Sequence, residues 1–187
     1  MLSKYYQLVE DSERDEADLY IFGDISSWGQ RRPEDANRSA YNIVNELREV
    51  KAKSINVHIN SYGGEVSEGL AIYNTLKTSG KNVTTVCDGF ACSAASVVFM
   101  AGKKRVMNKA SLLMVHNAWT MAAGNAEELR KAAEDIEKIT ETSIEAYKEN
   151  AKISEEKIRE LMDEEAWITP DEAVEYGFAT EVKKTDP

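Results

Sequence analysis

The sequence predicts an α/β fold, in which strands run through turns into helices, and three stretches carry that prediction. In the first, Ile55, Val57 and Ile59 alternate with Asn56, His58 and Asn60. Ser61-Tyr62-Gly63-Gly64 then leads to a helical stripe of Val66, Leu70, Tyr73 and Leu76, closed by Gly80. In the second, the β-branched run Val83-Thr84-Thr85-Val86 passes through small residues, Gly89 to Ala95, into an apolar segment long enough for about two helical turns. In the third, Leu112-Leu113-Met114-Val115 delivers His116 at its end, ahead of a long helical pattern.

The remaining elements fit around these. Residues 1–18 are polar and charged and are expected to form a mobile N-terminal segment, followed by a buried strand at Leu19-Tyr20-Ile21-Phe22. A loop from Ser26 precedes a helix from Pro33 to about Val50, with Ala40, Ile43, Val44 and Leu47 on its apolar face. Arg105-Val106-Met107 reads as a short strand, and Asn117 to Gly124 as a loop bearing Trp119 and Met121. From Asn125 to Ala151 a single amphipathic helix is expected, its stripe formed by Leu129, Ala132, Ile136, Ile139, Ser143, Ile144 and Tyr147. Such a helix spans about 37 Å, longer than a small core needs, so it either projects toward another subunit or lies across its own sheet. Ser154 can cap the next helix, which runs into Asp163-Glu164-Glu165-Ala166-Trp167. Thr169-Pro170-Asp171-Glu172 is a capping box that opens a short helix ending at Gly177, and Phe178 to Val182 forms a last strand. Residues 19–183 are thus expected to form one domain, with 184–187 as a tail.

Composition narrows the function classes. The 187 residues are 42% hydrophobic and 30% charged, with a net charge of −10, which argues against a nucleic-acid-binding face. No run of about eighteen apolar residues occurs and Met1 to Tyr6 lacks an apolar leader pattern, so no membrane span and a cytoplasmic location are expected. Cys87 and Cys92 match neither a redox pair nor a zinc half-site, and reduced core thiols are the simplest reading.

Four features bear on chemistry. Ser93 stands at a helix start, where unpaired N–H groups and the helix dipole favour developing negative charge. A serine there is, taken alone, more readily an ordinary N-cap. Gly63-Gly64 can aim backbone N–H groups at an anion or carbonyl oxygen, or can simply be a tight turn. His116 ends a strand, at the edge where open α/β sheets bind ligands, whereas His58 lies mid-strand on a polar face. With the acidic corner downstream, the order serine, histidine, acid supplies a nucleophile, a general base and an orienting carboxylate.

Asn60-Ser61-Tyr62-Gly63-Gly64, Gly89-Phe90-Ala91-Cys92-Ser93-Ala94-Ala95, Met114-Val115-His116 and Glu172-Ala173-Val174-Glu175-Tyr176-Gly177 together resemble the Clp protease proteolytic subunit family. The likeness is nearest to divergent phage- or prophage-encoded members that act as prohead proteases. It implies a Clp-protease- and crotonase-like ββα spiral, with the Asn125–Ala151 helix as a protruding handle through which rings of a homo-oligomer stack. It also implies Ser93 as nucleophile, His116 as general base, and Gly63 and Ala94 as oxyanion-hole donors. Aligned on the motif at Glu172–Gly177, the family's acid falls on Glu165, with Asp163 and Glu164 as rivals. A peptide or protein substrate would add as a strand along Gly64, Glu65, Asn117, Ala118 and Trp119. No metal or organic cofactor is implied. The N-terminal segment does not match the family's axial loop, so the resemblance does not carry an ATPase unfoldase partner with it. An acyl-CoA enzyme on the crotonase fold and an inactive ring-forming scaffold are the alternative readings.

Overall fold

The computed structural model describes residues 6–26 and 40–184. The expected Ser26–Pro33 loop and the first turns of the helix from Pro33 lie largely outside them, as does most of the 184–187 tail. Strand β1 (Tyr6–Asp11) pairs antiparallel with β2 (Glu16–Phe22), which runs parallel to β3 (Ser54–Ser61). This corrects the expectation of a loose segment through residue 18, because the sheet begins at Tyr6. Its residues looked polar because β1 is an edge strand whose outer positions face water, while Tyr6 and Ala17 are buried. Asp11 closes the hairpin, accepting hydrogen bonds from the Glu13 and Arg14 N–H groups.

Helix α1 (Ala40–Glu49) buries Ala40, Ile43 and Leu47, and α2 (Val66–Thr78) buries Ile72, Tyr73 and Leu76. Ile55, Val57 and Ile59 of β3 are fully buried against this layer, as the alternation predicts. Strand β4 (Asn82–Cys92) is longer than the β-branched run alone suggests, extending through Gly89-Phe90-Ala91-Cys92 before α3 (Ala94–Phe99) begins. It forks the sheet. Its first half pairs in parallel with β5 (Lys104–Met107), and Phe90–Cys92 pairs in parallel with β6 (Leu112–Met114). Small residues are poor strand formers, so only pairing on both sides, Ser61 with Ala91 and Cys92 with Met114, keeps this half extended.

The fork has a functional consequence: β3, β4 and β6 end side by side. In parallel sheets ligands bind outside the carboxyl ends of strands, and here three such ends converge.

Helix α4 (Ala126–Lys148) is capped by a reciprocal Asn125–Glu128 box; α5 (Glu155–Asp163) is capped by Ser154. The two-residue strand β7 (Trp167–Ile168) pairs antiparallel with β6. The Thr169–Glu172 box opens α6 (Pro170–Tyr176), which ends at Gly177. Only Glu181–Val182 of the expected last strand pairs, as β8 beside β5. The architecture is mixed α/β, a forked sheet with several helices, consistent with the expected spiral.

Candidate active site

Ser93 follows β4 directly. Its backbone has φ 54° and ψ −127°, a conformation that costs a non-glycine residue about 1–3 kcal/mol. It is held from both sides: its N–H donates to the Met114 carbonyl at 2.8 Å and its carbonyl accepts from the Ser96 N–H at 2.9 Å. The side chain makes no capping hydrogen bond to α3. Instead Oγ lies 2.7 Å from Nε2 of His116. An N-capping serine would turn its oxygen onto the helix, so this geometry separates Ser93 from the ordinary cap.

His116 is delivered by β6. The Val115 N–H donates to the Ala166 carbonyl at 3.2 Å, and the Ala118 N–H donates to Thr140 Oγ1 at 3.1 Å, fixing the chain on either side of the imidazole.

The paired-glycine turn lies against the nucleophile. A Cβ on Gly63 would sit 2.5 Å from the Cys92 carbonyl oxygen and 2.7 Å from the Ser93 Cβ, and one on Gly64 would collide with the Ile25 carbonyl. Both glycines have positive φ, 97° and 144°, so backbone approach and turn geometry alike exclude side chains here. Ile25 borders the turn as a strand does: its N–H donates to the Gly63 carbonyl at 2.8 Å and its carbonyl accepts from Glu65 at 2.9 Å. By strand alternation the Gly64 N–H then faces the opposite edge.

The Gly63 N–H is not available, because Ser61 Oγ accepts it at 3.0 Å. This corrects Gly63 as the expected oxyanion donor. The N–H groups of Gly64, which lines the same cleft as Ser93, and of Ala94, the next residue in the chain, have no backbone acceptor among the described residues. Sequence reasoning passed over this Ser61 contact, and a serine two residues before a turn glycine was its signal.

A cleft of about 540 Å³ opens over this turn, lined by Gly63, Gly64, Glu65, Ser93, His116, Ala118 and Trp119. Asn117, expected among the substrate contacts, is not part of the lining; its Nδ2 donates to Asp163 Oδ1 at 2.7 Å. The structure does not join Glu165 to the pair. Its carboxylate is exposed, and among the described residues no carboxylate hydrogen bonds His116 Nδ1. Of the three acidic candidates, Asp163 touches the His116 loop, through Asn117.

The other titratable groups near the site are accounted for by packing. Burial pushes the Cys92 thiol up to about 11 and Cys87 to about 12, so neither is a thiolate at neutral pH. His58 lies in mid-strand, with Nδ1 2.7 Å from Asp88 Oδ2 and its ring stacked on Tyr20.

The Clp protease family model matches residues 25–186, which contain the glycine turn, Ser93 and His116. The chain belongs to the Clp protease family. Among similar proteins, an ATP-dependent Clp protease proteolytic subunit of Deinococcus radiodurans is 34% identical over 132 residues, 70% of this chain and 65% of that protein. Proteins of the same description from Bacteroides fragilis and Bacteroides thetaiotaomicron are 36% and 34% identical, each over 70% of this chain and over 64% and 60% of their own length. The chain therefore spans just under two thirds of the length of these Clp protease relatives.

Proposed function

We propose that the chain is a serine peptidase in which Ser93 is the nucleophile and His116 the general base. The observation that carries this is the 2.7 Å contact between Ser93 Oγ and His116 Nε2, made by a serine that forgoes its helix cap. Ser93 Oγ attacks the peptide carbonyl while Nε2 takes its proton; the imidazolium then protonates the leaving amine, and water repeats the sequence on the acyl-enzyme. Negative charge developing on the carbonyl oxygen is met by the N–H groups of Ala94 and Gly64, which need no reorganisation to receive it.

The Gly64 edge lies open to the cleft, which supports a substrate strand docking there, with Glu65, Ala118 and Trp119 beside it. Glu165 holds the acid position of the sequence motif but makes no hydrogen bond with His116, so the chemistry is assigned to Ser93 and His116 without it. Assembly into rings is supported by the part of α4 before Thr140, where Leu129 and Ile139 are 44% and 40% exposed on a helix about 35 Å long. A prohead-type protease in the cytoplasm is the setting that the resemblance favours; no helix among the described residues is long and apolar enough to cross a membrane.

Hydrolysis of an unfolded, fluorescein-labelled protein is expected from the parent chain and not from Ser93→Ala. Turnover of acyl-CoA thioesters that survives Ser93→Ala, with no proteolysis, would replace this reading with the crotonase-like one. A well-formed ring with neither activity would mark a scaffold.

A further inference from the structure

Helix α4 reaches the segments that carry Ser93 and His116, α3 and the loop after β6, through hydroxyl groups that the peptidase mechanism does not use. Ser96, 2% exposed in α3, places Oγ 2.6 Å from the Ser93 carbonyl oxygen and 2.7 Å from the hydroxyl of Tyr147 in α4. A carbonyl can only accept, so the single Ser96 proton goes to Ser93, and Tyr147 must donate to Ser96. The chain of hydrogen bonds therefore has one direction, from Tyr147 through Ser96 to the Ser93 carbonyl. Burial pushes the Tyr147 phenol up to about 12, which keeps its proton in place at neutral pH. Seven residues earlier on α4, two helical turns away, Thr140 Oγ1 accepts from the Ala118 N–H, two residues beyond His116.

We propose that Ser96, Tyr147 and Thr140 are positioning residues, through which one helix holds the nucleophile and the general base in register. The inference rests on Ser93 being the nucleophile. Its physical basis is the backbone of Ser93, which sits at positive φ and relaxes unless its surroundings over-determine it. The Tyr147–Ser96 relay adds a side-chain clamp to the backbone bond on the Ser93 carbonyl. Thr140 fixes the loop that carries the imidazole. Loss of either arm moves one partner relative to the other, and small displacements between reacting groups are costly in rate.

The test is the time course of fluorophosphonate labelling of the full chain, recording the rate constant, the final extent of labelling at Ser93 and the thermal midpoint. Ser96→Ala and Tyr147→Phe are expected to reach full labelling about tenfold more slowly. Tyr147→Phe keeps the ring that packs edge-on against Phe178, so it stands as the milder variant should Ser96→Ala fold poorly. The double variant is expected to be no slower than Ser96→Ala, since both cut one relay. Thr140→Val is expected to slow labelling independently, its factor multiplying with that of Ser96→Ala. Parent rates in all three single variants would overturn the inference. So would a reduced extent of labelling at the parent rate, the mark of lost folding rather than lost positioning. Absence of label on Ser93 in the parent chain removes the nucleophile assignment, and the inference with it.

Discussion

Ser93 occupies a backbone conformation that a capping serine has no need of, and function explains the strain better than packing does. Replacing it by glycine, which adopts positive φ freely, is expected to stabilise the chain by about 1 kcal/mol in denaturant unfolding while abolishing serine labelling. An unchanged or lowered midpoint would show that Ser93 carries no strain. The acid is the second residue-scale question. Because Glu165 makes no hydrogen bond to His116, Glu165→Ala is expected to keep labelling within about tenfold of the parent, well short of the loss on removing a true orienting carboxylate. A loss equal to that of His116→Ala would mean that the carboxylate does reach Nδ1. Sequence pattern could place a histidine at a strand end and a serine at a helix start, since both follow from periodicity. It could not separate Gly63 from Gly64, because that depends on where Ser61 Oγ points and on how Ile25 borders the turn.

At the scale of elements, the site is a product of the forked β4. The β-branched half was legible from composition; the Gly89–Cys92 half was not, because its extension comes from neighbours on both sides rather than from its own residues. The edge strand β1 was hidden for a related reason, its polar positions being those of a strand with one wet face. The outer face of β3 and β4 is joined by the His58–Asp88 contact. Burial alone would raise the Asp88 carboxyl, but hydrogen bonds from His58 and Asn108, together with the charge on His58, hold it below the ordinary range. A carboxyl depressed in the folded state contributes stability above its unfolded value, and that contribution is lost as pH falls through the folded one. Asp88→Asn is therefore expected to lower the urea midpoint at pH 7, and the difference is expected to shrink as pH falls below the ordinary carboxylate range. An equal loss across that range of pH would assign the effect to packing instead.

At the scale of the whole molecule, α4 belongs to two environments. From Thr140 onward it buries Thr140, Ser143, Ile144, Ala146 and Tyr147 in the core, and before Thr140 it carries Leu129 and Ile139 outward. The sequence showed one continuous stripe and so left both fates open; the structure divides them at about Thr140. Leu129→Glu with Ile139→Glu is expected to shift sedimentation toward smaller species without changing the thermal midpoint of the subunit. Unchanged assembly would place the intersubunit contact elsewhere. The fold class was thus readable from local pattern, and the serine–histidine pair from local pattern together with the family resemblance, whereas the acid and the oxyanion donors depend on contacts between distant segments.

The central claim is that Ser93 is a nucleophile activated by His116. Its most direct measurement is intact-mass analysis after fluorophosphonate exposure, followed by peptide mapping. The account predicts one adduct per chain, located on Ser93, absent from Ser93→Ala and strongly slowed in His116→Ala. An adduct that persists in Ser93→Ala, or a rate indifferent to His116, would contradict it.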